Sequence, residues 1–123
     1  MSQTNLQNMT VEQLVQQFAS IALDQGHAVC VDDNARFTRL FWRIEAVEEE
    51  LKARAGDQRR ALLRLYNHPN AQVRVTAAKA TLAVAPQEAL RLLQTIADSK
   101  EYPQAGDAGM CLDNLERGIF KPT

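Results

Sequence analysis

The stretch from Ala71 to Ala85 is apolar on two opposite sides, and a helix built from it cannot lie on a surface. At 100° per residue, Val73, Ala77, Ala80 and Val84 share one face, while Ala71, Val75, Ala78 and Leu82 share the other. Two narrow polar windows remain, one with Arg74 and Thr81 and one with Gln72, Thr76 and Lys79. A helix of this kind must be covered on both sides, and its alanines let neighbours approach closely. It is expected at the centre of a stack of helices.

The rest of the chain supplies the other layers. Thr10 followed by Gln13 is a capping-box pattern, and Val11, Leu14, Val15, Phe18 and Ala22 then fall on one side of a first helix. That helix is expected to run to about Val31, with a weak point at Gly26. Asp32, Asp33 and Asn34 are cap candidates for a second helix, whose core face holds Phe37, Leu40, Phe41, Ile44, Val47 and Leu51 before Gly56 ends it. A short third helix from near Asp57 places Ala61, Leu62, Leu65 and Tyr66 on its apolar side. Beyond the doubly apolar fourth helix, Pro86 suits the first turn of a fifth. Ala89, Leu90, Leu92, Leu93, Ile96 and Ala97 line its single apolar face. A last helix, from about Ala105 to Arg117, buries Ala108, Cys111, Leu112, Leu115 and Ile119 and stops at Gly118. The five glycines and four prolines leave little turn material for a chain of many strands. The expected fold is therefore all-α, with five to six helices in one domain over residues 1–123. Residues 1–9 are expected to form a frayed lead-in.

Composition removes several function classes. A formal charge of −1 lacks the basic excess that phosphate binding draws on. The basic residues Lys52, Arg54, Arg59, Arg60, Arg64, Arg74 and Lys79 are spread over three helices, so nucleic acid is disfavoured as a partner. No apolar run is long enough for a membrane span, and the polar N-terminus has the character of neither a signal nor a transit peptide. A cytoplasmic setting follows, with Cys30 and Cys111 as reduced thiols.

The stretch His68-Pro69-Asn70-Ala71-Gln72-Val73-Arg74, followed by Ala77-Ala78 and Leu82, resembles the second-helix motif of HEAT and armadillo repeats. Helices three and four, and helices five and six, are read as hairpins. Aligning Leu82 with Leu115 relates the two at a spacing of 33 residues. The whole chain is similar to a bacterial family of short HEAT-like proteins of unknown function. That resemblance implies an α-α superhelix of stacked antiparallel hairpins. It carries over no catalytic residue, no cofactor and no ligand.

Candidate chemistry is sparse. His27, Cys30, Asp32 and Asp33 are metal-ligand types close in sequence, but no second Cys/His pair completes a tetrahedral set. Cys30 is better read as a buried small thiol beside a helix cap. Glu45, Glu48 and Glu49 read as a solvated face near Lys52 and Arg54. Gly106-Asp107-Ala108-Gly109 lacks the Lys-Ser/Thr of a phosphate loop, and its glycines are expected to serve a tight helix start or close packing. No Ser or Cys sits in a nucleophile elbow. The chain is expected to be a non-catalytic module that binds another protein or a second copy of itself. An immunity-type protein that blocks a toxin is a specialised version. A small-ligand or metal-dependent enzyme using residues 27–33 is the alternative. The interface candidates are Trp42, Ala35, Ala46 and Ala53, with Arg74 and Lys79. Trp42 lies roughly 140° from Phe37 on the wheel of the second helix. It is either covered by a neighbouring helix or left as an interface anchor.

Overall fold

The computed structural model describes residues 3–123. Every regular element among them is a helix: α1 (Val11–Cys30), α2 (Asn34–Ala53), a 3-10 segment (Gln58–Asn67), α3 (Ala71–Ala80), α4 (Pro86–Asp98) and α5 (Gln104–Glu116), preceded by a 3-10 helix at Gln3–Asn8. The chain divides into two compact units, Met1–Ala61 and Leu62–Thr123. No helix among the described residues is long and apolar enough to cross a membrane.

The first unit is built on a helical hairpin. α1 opens with the capping box: Thr10 Oγ1 accepts from the Gln13 amide at 3.1 Å, and Gln13 Oε1 accepts from the Thr10 amide at 2.9 Å. The helix then runs through Gly26 without a break. Three residues separate it from α2, whose first turn is capped by Asp33 Oδ1 accepting from the Arg36 amide. A connection that short makes the two helices antiparallel. Leu14, Val15, Phe18, Ile21 and Ala22 of α1 and Leu40, Ile44, Val47 and Leu51 of α2 are buried. Phe37 is half-buried. Phe41, expected in this core, is exposed, because it lies at the edge of the apolar arc rather than within it. The stretch expected to fray carries the 3-10 helix Gln3–Asn8. Arg54 donates to the carbonyls of Leu6 and Met9 at 3.1 and 2.8 Å, tying it to the end of α2. Met1 and Ser2 lie outside the described residues.

The 3-10 segment replaces the expected third α-helix. With three residues per turn, positions i and i+3 eclipse. Arg59, Leu62 and Leu65 accordingly form its buried row, while Ala61 and Tyr66 are only half-buried. Arg59 is tolerated there because Asp57 grips it with two bonds, Nε to Oδ1 at 2.9 Å and Nη2 to Oδ2 at 2.7 Å.

In the second unit, Asn70 Oδ1 caps α3 by accepting from the amides of Gln72 and Val73. Val75, Ala78 and the following Leu82 pack with Ala89, Leu93 and Ile96 of α4 and Ala108 and Cys111 of α5. Val73, Ala77 and Ala80 on the other side of α3 are buried as well, so the helix is enclosed as its pattern requires. It ends at Ala80 rather than Ala85. Thr81 lies just beyond, fully buried, with its hydroxyl bonded to Tyr66 Oη at 2.5 Å and to the Ala77 carbonyl at 2.9 Å. Leu82 therefore sits in a turn while Leu115 sits within α5, and the 33-residue register does not join equivalent helical positions. Two residues expected inside are exposed, Leu90 and Ile119. Leu90 is at the rim of the α4 apolar face. Ile119 follows Gly118, whose φ of +75° turns the chain out of the helix.

Candidate protein-interaction surface

The outward face of α2 carries the largest side chain that the fold leaves uncovered there. Leu40, Ile44, Val47 and Leu51 fix the inward direction of the helix, and Trp42 projects away from them with 64% of its surface exposed. Among the described residues of its own unit no helix covers it. Its ring meets Phe41 edge-on, with centroids 5.1 Å apart and planes at 80°, a favourable aromatic geometry. Ala35 and Ala53 are exposed on the same side, and Ala46 is half-buried. Arg39 and Glu49 complete this face and are exposed. Leu23 on α1 is also exposed.

Arg74 and Lys79, the other two interface candidates, belong to α3 and are engaged inside the second unit. Arg74 donates to the His68 carbonyl at 2.8 Å and to Glu101 Oε1 at 3.3 Å. Lys79 Nζ sits 2.9 Å from Asp107 Oδ2. Both occupy the polar windows of α3, and each is ion-paired within its own unit.

The other residues singled out in the sequence lie as follows. His27, Cys30, Asp32 and Asp33 are all exposed, which corrects the expectation of a buried Cys30. Asp33 is spent as a helix cap. Among the described residues no three His, Cys, Asp or Glu side chains gather to hold a metal. Glu48 is not part of a solvated face: burial, followed by the charge of Glu45, pushes its carboxyl up to about 7 against the pull of Arg59. Glu50 does form the expected pair with Arg54, at 2.7 Å. A Cβ on Gly106 would touch the Tyr102 ring at an ordinary 3.8 Å, and one on Gly109 would meet nothing within 4 Å. Close packing therefore requires neither glycine. A groove of about 380 Å³ beside α1 is lined by Met9, Gln13, Gln16, Gln17 and Ser20, none of which carries a charge.

Sequence reading missed Phe41 as a surface residue. The signal was available in its position, a full 100° from Leu40 on the wheel, but its size favoured the core.

A family profile described as "Domain of unknown function (DUF2019)" matches residues 12–116. The crystal structure of the protein RPA1889 from Rhodopseudomonas palustris CGA009 is similar at 52% sequence identity and a TM-score of 0.93, over 96% of this chain and 98% of that one. No curated protein matches the chain.

Proposed function

We propose that this chain, which belongs to the DUF2019 family of domains of unknown function, is a non-catalytic helical module that binds another protein through the outer face of α2. The observation that supports it is the exposure of Trp42, 64%, opposite a core face already filled by four aliphatic residues. Tryptophan is enriched among residues that dominate binding energy, because a large rigid ring loses little entropy when it enters a pocket. Ala35, Ala46 and Ala53 around it leave room for a partner to approach the backbone. Antiparallel hairpins and the HEAT-like stretch from His68 to Arg74 fit a helix-pair scaffold of the kind that presents extended surfaces to other chains.

The test is a paired co-purification from the native host with the wild type and Trp42→Ala as baits. A protein retained by the wild type and lost from the variant, with both baits melting alike, supports the reading. A variant that unfolds, or one that retains the same proteins, contradicts it.

A further inference from the structure

The outward positions of α2 form a seam with coiled-coil spacing. Ala35, Arg39, Trp42, Ala46, Glu49 and Ala53 follow one another at alternating steps of four and three residues. That alternation keeps one stripe of a helix facing a partner helix along its length. The seam spans about 27 Å at 1.5 Å per residue. Five of its six residues are exposed and Ala46 is half-buried, so the described residues of its own unit leave it open.

The seam is self-complementary when read backwards. Laid against a second copy running the opposite way, Ala35 meets Ala53, Arg39 meets Glu49, and Trp42 meets Ala46 of the second copy. Each pairing occurs twice about the two-fold axis. Every layer is then matched: small with small, positive with negative, and a large ring over a methyl group. The parallel arrangement has none of this. It stacks Arg39 on Arg39, Glu49 on Glu49 and Trp42 on Trp42, two like-charge layers and a steric clash.

From this pattern we propose that the partner of the α2 face is a second copy of this chain, docked antiparallel α2 to α2. The proposal rests on the reading of that face as a protein-binding surface and gives the occupant. Near the two-fold axis the two Arg43 side chains lie along one edge of the seam and the two Glu45 side chains along the other. These like charges are screened at the solvent edge, but they oppose association. With a contact of only one helix face, the dimer is a weak one, formed across the micromolar range.

The test is sedimentation of the full-length chain over a concentration series, using charge reversals at exposed positions that leave the core untouched. The wild type should self-associate. Arg39→Glu and Glu49→Arg should each weaken self-association about tenfold or more, since each places two like charges in both polar layers. Mixed in equal amounts, the two variants should associate with one another, because every 39–49 layer becomes opposite again. Trp42→Ala should weaken the wild-type dimer about thirtyfold. Circular dichroism should show all variants folded. A wild type that stays monomeric, charge variants that associate unchanged, or a mixture that fails to recover would each overturn the second-copy assignment. The proposed function fails by a different result, an unfolded Trp42→Ala or an unchanged set of co-purified proteins, so the two failures are distinguishable.

Discussion

On α3, Val73 and Val75 stand on different sides of the helix and both are fully buried. On α2, Leu40 and Trp42 are also two residues apart, yet Leu40 is 5% exposed and Trp42 is 64% exposed. The two helices differ in what accompanies the second apolar side. On α3 it is built from valine and alanine, which form a smooth surface that neighbours cover without polar interruption. On α2 it holds Arg39 and Glu49 beside Trp42, and covering those charges within the monomer would require paired partners for each. An apolar residue opposite a filled core face is thus enclosed when its row is small and uncharged. It stays exposed when its row is large and flanked by charge.

That contrast can be broken or sharpened by substitution. The largest loss should come from the α1–α2 core: Phe18→Ala removes a fully buried ring and should cost about 3–5 kcal/mol in urea unfolding. Next is α3. Ala77→Leu forces extra volume where a fully buried alanine stands and should cost about 1–3 kcal/mol; an unchanged urea midpoint would mean that this side of α3 is not packed.

Glu48 should give a smaller and pH-dependent effect. Its folded carboxyl is raised to about 7 from 4.5, so between those values the folded state holds a proton that the unfolded state has lost. Stability from this group is full below pH 4.5 and falls as pH rises through 7. Glu48→Gln should therefore stabilise the chain at pH 8 by about 1–2 kcal/mol, allowing for solvent screening, and change little at pH 4. Equal effects at both pH values would count against a desolvated carboxyl. The smallest effect on folding should belong to Trp42→Ala, within about 0.5 kcal/mol, even though it is the largest side chain to be truncated.

Local signals were the most legible part of the fold. Thr10 with Gln13, Asp33 before α2, Pro86 at the start of α4 and Gly118 after α5 act within a few residues of chain, and each does what its sequence context implies. The doubly apolar pattern of α3 was legible for the same reason that it is enclosed: its demand for cover is written on the helix itself. The 3-10 segment was not legible, because 3-10 runs of ten residues are uncommon and Ala61, Leu62, Leu65 and Tyr66 also fit one face of an α-helix. Only the buried row of Arg59, Leu62 and Leu65 separates the two helix types. Phe41 and Leu90 were misplaced because a wheel gives direction but not the width of the neighbour that covers it, and Ile119 because the turn at Gly118 takes it out of the helix. For Trp42 the sequence left burial open, and in the structure the ring is exposed. The seam around it was present in the residues all along, but it becomes meaningful only once that side of α2 is known to be open.

Trp42 is the only tryptophan in the chain, so its fluorescence reports on that face alone. Emission and quencher access measured over a dilution series test the account most directly. In dilute solution the emission should be that of a water-exposed indole, open to a soluble quencher. As the protein is concentrated it should move to shorter wavelength and become shielded, as the α2 faces close on one another. Short-wavelength, shielded emission that persists on dilution would place Trp42 inside the monomer. Exposed emission that never shifts would leave the α2 face without a second copy. Either result would contradict the account.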